Sequence, residues 1–309
     1  MNILSLFPKA MYDTNMCIDR SIYLNWVGRS DTVVWSGPGW GNYEDGLSVQ
    51  DNAELIGHRL DCEFDVIVFS GKDEYRMPSE TKAARVLIYN EAHDVERVML
   101  RTRIFKPDLS LFHHHGDFKQ WGGLGVNPIF HCSPIPPETE WGDRKVRVIL
   151  TGSTERSVYP LRNSAEKAIS QKMIRGGFTR RHPGYRLRNR AEINAQFIDY
   201  LKALSGAKVS ICCSSIYKYP LAKMIESAAC GCVVATDKPY CDRFEELLWP
   251  HCIQLDAGMS SEEIADVING HSDEELTAMS AASREVAANH YSLDNWAACF
   301  LAATQGVVK

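Results

Sequence analysis

The sequence predicts an α/β protein of two doubly wound domains facing each other across a cleft, closed by C-terminal helices. Short apolar runs alternate with longer amphipathic segments, which is the pattern of βαβ units feeding a parallel sheet. The runs fall into two series, separated by a proline-rich stretch. At about 150 residues per domain, a chain of 309 residues has room for two cores.

The first series comprises Ile3 to Phe7, Thr32 to Trp35, Phe64 to Phe69, Arg85 to Tyr89, Leu109 to Phe112 and Pro128 to His131. Next comes Cys132-Ser133-Pro134-Ile135-Pro136-Pro137-Glu138, whose three prolines remove backbone donors and hold the chain extended. This linker places the boundary near residue 140, with an N-terminal domain over 1–140 and a C-terminal domain over 141–309. The second series is Val146 to Leu150, Gly177 to Thr179, Lys208 to Cys213, Cys232 to Thr236 and Cys252 to Leu255. From Ser272 to Val308 the pattern is helical, with Ser272 and Ser292 as N-caps, each followed by an acid in the first turn. Two helices are expected there, the last of them able to cross back to the N-terminal domain.

Composition narrows the function. With 45% hydrophobic and 24% charged residues the chain is an ordinary globular protein, which excludes disorder. Lys+Arg 34 against Asp+Glu 39 gives a net charge of -5, so any basic function must be local. No stretch approaches the ~18 apolar residues of a membrane span, and Met1 to Phe7 lacks the charged start of a signal peptide. A cytoplasmic protein is expected. The ten cysteines include Cys212-Cys213 and Cys230-Gly231-Cys232 in apolar, strand-like runs, which suits reduced core residues better than zinc ligands.

Doubly wound sheets bind ligands outside the carboxyl ends of their strands, where helix N-termini present unpaired N–H groups. The richest such turn is Cys212 to Pro220, followed by a helix over Leu221 to Ala229 with Pro220 suited to its first turn. On that helix Lys223, Glu226 and Ser227 share one face. A solvated stripe on a buried helix would have this spacing, and so would a binding site. Lys preceding Glu is the less favourable order for a helical ion pair, so stability does not account for the pattern.

The segment Lys223-Met224-Ile225-Glu226-Ser227-Ala228-Ala229-Cys230-Gly231-Cys232-Val233-Val234-Ala235 resembles the donor-site signature of GT-B glycosyltransferases of the glycogen-synthase-like (family 4-type) group. The resemblance implies two Rossmann-like domains, an N-terminal one for the acceptor and a C-terminal one for a nucleotide-sugar donor, with Glu226 on the ribose hydroxyls. A carboxylate suits a vicinal diol because it accepts two hydrogen bonds. The group's pattern has a second Glu eight residues earlier, where this chain has Lys218. Sugar identity and stereochemical outcome therefore do not carry over, and Lys218 could instead meet a phosphate.

Val148 to Ser153 followed by Tyr159-Pro160-Leu161-Arg162 resembles the start of the C-terminal domain in the spore-coat CgeB-like branch of these enzymes, as do Ser36 to Gly41 and Asn90 to Asp94 in the N-terminal half. Gly152 permits close backbone approach, while Ser153, Arg156 and Arg162 are donors suited to a diphosphate. The resemblance implies a donor-sugar or transition-state contact for His93, which otherwise reads as a helix-start residue. Glu91 or Asp94 could act as general base if the reaction inverts, and Asp94 equally suits a helix cap.

His113-His114-His115 invites a metal, but adjacent strand residues point to opposite faces and no carboxylate stands at helical ligand spacing. No metal site is assigned; one of the three could contact the acceptor. From Lys172 to Arg190 seven Lys and Arg residues stand without an acid between them. This is either a solvated basic face or a site, in which His182 and Tyr185 frame the nucleobase, Tyr217 is available to stack, and the outer arginines meet an anionic acceptor, DNA included.

The function expected is metal-independent transfer of a hexosyl or pentosyl group from a nucleotide sugar, a UDP-sugar foremost, to an acceptor hydroxyl, with the donor as co-substrate and no cofactor. The alternatives are a phage-type DNA glycosyltransferase acting on hydroxymethylated pyrimidines, a nucleotide-sugar epimerase, and a non-catalytic nucleotide-binding protein.

Overall fold

Runs such as Val66–Phe69 and Val233–Ala235 carry no polar face, so they are stable only where both sides of the strand are covered. In the computed structural model both lie in the interior of parallel sheets, flanked by a strand on each side. The structure describes residues 1–14, 32–70, 81–89, 92–121, 123, 125–126, 129–181 and 189–308.

The first sheet contains β1 (Asn2–Leu6), β2 (Thr32–Ser36), β3 (Val66–Ser70), β4 (Ala84–Tyr89) and β5 (Leu109–Phe112), in the order β2-β1-β3-β4-β5. All pairs are parallel, with Leu4 opposite Ile67 and Val68 opposite Val86. Helices α1 (Lys9–Thr14), α2 (Val49–Leu60), α3 (Val95–Phe105) and α4 (His115–Trp121) follow the chain between and after these strands. Their ends are chemically marked. Ser48 and Asp51 form a capping box at α2, Asp94 caps α3, and Asp61 and Lys106 end the two helices in the left-handed conformation.

The second sheet repeats the topology with β6 (Val146–Gly152), β7 (Gly177–Arg181), β8 (Ala207–Ile211), β9 (Val233–Asp237) and β10 (Ile253–Leu255), in the order β10-β9-β8-β6-β7. Around it lie α5 (Pro160–Ser170), α6 (Arg190–Ser205), α7 (Ala222–Ala229), α8 (Asp242–Leu247), α9 (Ser261–Gly270) and α10 (Asp273–His290), and α11 (Leu293–Gln305) ends the chain. Ser272 does cap α10, in a capping box with Glu275. Pro220 stands outside α7, which starts at Ala222 with Leu221 as N-cap.

Two compact units result, one of residues 1–130, 187–194 and 293–309, the other of 131–186 and 195–292. The first break falls at 130/131, ahead of the proline stretch, because that stretch is tied to the second unit: Ser133 N donates to Tyr291 O, and Arg284 Nη2 to Pro136 O. Ile129 and Phe130 are buried without forming the strand expected over Pro128–His131, so burial alone accounts for that apolar run. Within the second unit the buried Arg144 acts as a cross-brace. Its Nη1 donates to Ala207 O (2.9 Å) and Gly231 O (2.8 Å), and its Nε and Nη2 reach Thr139 O. Gly231, at φ +75°, has no room for a Cβ, which would stand 2.5 Å from Arg144 Nη2.

Desolvation pushes the His131 imidazole from 6.5 down to about 4, so the folded chain holds it neutral where the unfolded chain takes up a proton. This contribution to stability is complete above about pH 6.5 and is lost as pH falls towards 4, by up to ~3 kcal/mol. Urea unfolding at pH 7 and pH 4.5 should show the loss in the wild type and a smaller one in His131→Asn; equal losses would remove His131 as the cause.

Candidate functional site

In the second sheet β7 and β8 lie on opposite sides of β6. The chain leaves β6 in one direction for β7 and passes to the other side for β8, so the loops after β6 and β8 diverge and open a crevice at the carboxyl edge. Gly152 ends β6 at φ +92°. A Cβ there would meet Arg162 Nη1 and Lys223 Cε, each at 2.7 Å. Only glycine lets these two cations close over the strand end. Arg162 comes from the first turn of α5, whose start is set by Pro160, and Lys223 from the first turn of α7.

Arg162 is 2% exposed. Its Nε donates to Cys213 Sγ at 3.1 Å, and its guanidinium lies 3.8 Å from the centre of the Tyr159 ring. Among the described residues no carboxylate pairs with it, nor with Lys223, whose Nζ is 4.8 Å from the Tyr200 ring centre. A buried cation that lacks a counter-ion is costly to keep, and it forms strong hydrogen bonds to an anion that enters. Leu221 supplies no side-chain cap, so the first N–H groups of α7 add to the positive end of the crevice.

Glu226 lies one turn beyond Lys223 and is 7% exposed. Tyr200 Oη, from α6, donates to its Oε2 at 2.9 Å. Burial, and after it the Glu226 charge, pushes the Tyr200 hydroxyl well above its ordinary value, so Tyr200 remains a donor. Ser227 is fully buried and bonds Ser210 Oγ at 2.8 Å. The solvated-stripe reading of this face is thereby excluded. Tyr200→Phe would leave Oε2 without its donor, at an expected ~1–3 kcal/mol of stability measurable by urea unfolding; an unchanged midpoint would show that the bond carries no weight.

The loop after β8 is organised by Asp237, a buried acid ending β9. It accepts from Ser214 N (2.7 Å), Ser214 Oγ (2.5 Å) and Lys218 Nζ (2.8 Å). Lys218, 45% exposed and left-handed at φ +56°, is therefore already neutralised. Ile216 N donates to Val158 O at 3.0 Å, joining the loops that follow β8 and β6. In the latter, Ser153 Oγ accepts from Glu155 N and Arg156 is exposed. The exposed Tyr217 stacks on Tyr219 with ring centres 5.6 Å apart.

The other expected residues are placed differently. Glu91, His182 and Tyr185 lie outside the described residues. In the first unit His93 is exposed, and Asp94 Oδ1 accepts from Arg97 N at 3.2 Å, so the helix-cap reading of Asp94 is realised. The segment before them is fixed through Ala92, whose N–H donates to Asp117 Oδ2 and whose carbonyl accepts from Trp121 Nε1, both at 2.8 Å. His113 and His114 are buried, and His115 begins α4. Of the basic stretch, Arg180 is paired with Asp199 at 2.7 Å and Arg190 lies over the Tyr12 ring. Sequence reasoning missed Tyr200 and Asp237. An acid closing the apolar strand Val233–Thr236 was a readable signal for Asp237; Tyr200, inside an ordinary helix, gave none.

The glycosyl transferase-like family matches residues 144–302, just over half of the chain and nearly all of the second unit. The chain belongs to this family. It is a glycosyltransferase, and its two parallel five-stranded sheets are those of the GT-B fold. Solved structures agree over the whole length. A glycosyltransferase from Rickettsia africae superposes with a TM-score of 0.63 at 14% identity, covering 100% of this chain and 98% of that one. The Anabaena protein HepE, solved with UDP and glucose, gives 0.57 at 14% identity over 98% and 99%. Sucrose-phosphate synthase from Thermosynechococcus elongatus gives 0.57 at 12% identity over 99% and 98%. No curated protein sequence matches the chain. Among the described residues no helix is long and apolar enough to cross a membrane.

Proposed function

We propose that this glycosyltransferase takes its sugar from a nucleoside-diphosphate sugar held at the carboxyl edge of the second sheet. The observation that carries the reading is Arg162, a buried guanidinium without a carboxylate partner among the described residues, closed over Gly152 together with Lys223. The diphosphate fits between these cations and the start of α7, and Glu226, one turn along, fits the ribose diol. Tyr200 occupies one carboxylate oxygen and fixes its direction. The solved complexes of HepE with UDP make UDP the first donor base to test.

As the glycosidic bond to the diphosphate breaks, negative charge builds on the leaving oxygen. Arg162, Lys223 and the α7 N–H groups are fixed in place before that charge appears, and such preorganised stabilisation is commonly worth several kcal/mol. In this reading the two side chains do the neutralising that a divalent metal does elsewhere, and the transfer is metal-independent. The acceptor in this reading is a hydroxyl group.

A thermal-shift series over nucleoside diphosphates and nucleotide sugars tests the proposal, since a ligand that binds only the folded state raises its stability by RT ln(1 + [L]/Kd). A hundredfold excess of UDP over Kd should add ~2.7 kcal/mol. No shift with any of them would overturn it.

A further inference from the structure

Glu226 meets the crevice with one of its two oxygens already taken. The Tyr200 ring belongs to the core where α6 packs on the second sheet, among Ile149, Phe197, Leu201 and Leu204. The Phe197 ring centre is 6.1 Å away, and Lys223 Nζ stands 4.8 Å from the Tyr200 ring centre. A side chain packed in this way has one place for its hydroxyl. That place is Glu226 Oε2, at 2.9 Å.

A carboxylate receives a vicinal diol side by side, one hydroxyl on each oxygen. At Glu226 that symmetry is broken before any ligand arrives. Oε2 accepts from Tyr200, whereas Oε1 has no hydrogen bond among the described residues. Burial raises the Tyr200 hydroxyl well above its ordinary value, and the Glu226 charge raises it further, so the proton stays and the hydroxyl remains a donor. A ligand hydroxyl that took over Oε2 would strand the buried tyrosine hydroxyl without a partner, which offsets the bond gained. Oε1 is filled without that penalty.

We infer that Tyr200 sets how the donor is selected: Glu226 reads a single ribose hydroxyl, through Oε1, and the enzyme accepts a nucleoside-diphosphate sugar that lacks the other one. The donor class then extends beyond ribonucleotides to one of their monodeoxy forms. This inference rests on the donor site proposed above, and its test keeps the two apart. The whole chain, wild type and Tyr200→Phe, is titrated calorimetrically with UDP, 2′-deoxy-UDP, 3′-deoxy-UDP and 2′,3′-dideoxy-UDP. For wild type, one monodeoxy form should bind within about twofold of UDP and the other should fall ~10–100-fold, level with the dideoxy form, as for the loss of one hydrogen bond to a charged group. Tyr200→Phe keeps the ring beside Lys223 and frees Oε2, so the monodeoxy form that wild type tolerates should drop at least ~5-fold below UDP. Equal affinities for the two monodeoxy forms in wild type overturn the inference, and so does a Tyr200→Phe protein that still tolerates the same form. The wild-type comparison stands whatever Tyr200→Phe does to stability. A dideoxy nucleotide that binds wild type as tightly as UDP removes the ribose from Glu226, and the donor reading itself falls.

Discussion

Replacing Arg162 by methionine is expected to slow sugar transfer by ~10²–10³-fold while leaving the protein at least as stable as wild type. The two effects have one cause. In the free protein the guanidinium is buried with a thiol and an aromatic face for company, and among the described residues it has no acid. Methionine fills similar space without a charge to desolvate, so the free protein loses nothing it needed for folding. The bound diphosphate loses its buried partner. UDP affinity should fall steeply and uridine affinity should not, because uridine has no phosphate. A thermal midpoint several degrees lower, together with equal losses for UDP and uridine, would make Arg162 a packing residue and remove the diphosphate from this crevice.

Glu226→Ala is expected to weaken nucleotide binding by ~10–100-fold, the range for losing a charged hydrogen-bond partner worth about 1.5–3 kcal/mol. The informative comparison is with the ligand cut instead of the protein. If Glu226 holds the ribose hydroxyls, a 2′,3′-dideoxy nucleoside diphosphate binds wild type and variant alike, and only the ordinary nucleotide separates them. A variant that loses affinity equally for both has lost the shape of the site through the freed Tyr200 hydroxyl, and the ribose assignment fails. Calorimetric titration of the four combinations decides it.

The sequence was legible where its chemistry is local. Apolar runs marked all ten strands found among the described residues, the interior ones most plainly, since a parallel strand buried on both faces has to be apolar throughout. Ser272 announced its capping box because the partner Glu275 lies three residues away. Gly152, Arg162, Lys223 and Glu226 could each be picked out from their place after a strand or on one helix face. The run Pro128–His131 misled because apolarity reports burial and says nothing of strand pairing. Lys218 misled in a different way: as a sequence position it is a free cation, and only the fold brings Asp237, nineteen residues on, to within 2.8 Å of it.

By itself the sequence determined two series of parallel strands and the residue types available at the carboxyl edge, both of which follow from hydrophobic period, capping and strand–helix order. The tertiary structure decided which charges stay unpaired. It placed Tyr200 on Glu226, gave Lys218 to Asp237, and left Arg162 and Lys223 over Gly152 without an acid among the described residues. Periodicity assigns a residue to a face, but the strength of a charge depends on its distance to the next charge and on the water excluded around both, and those are set only when distant segments pack.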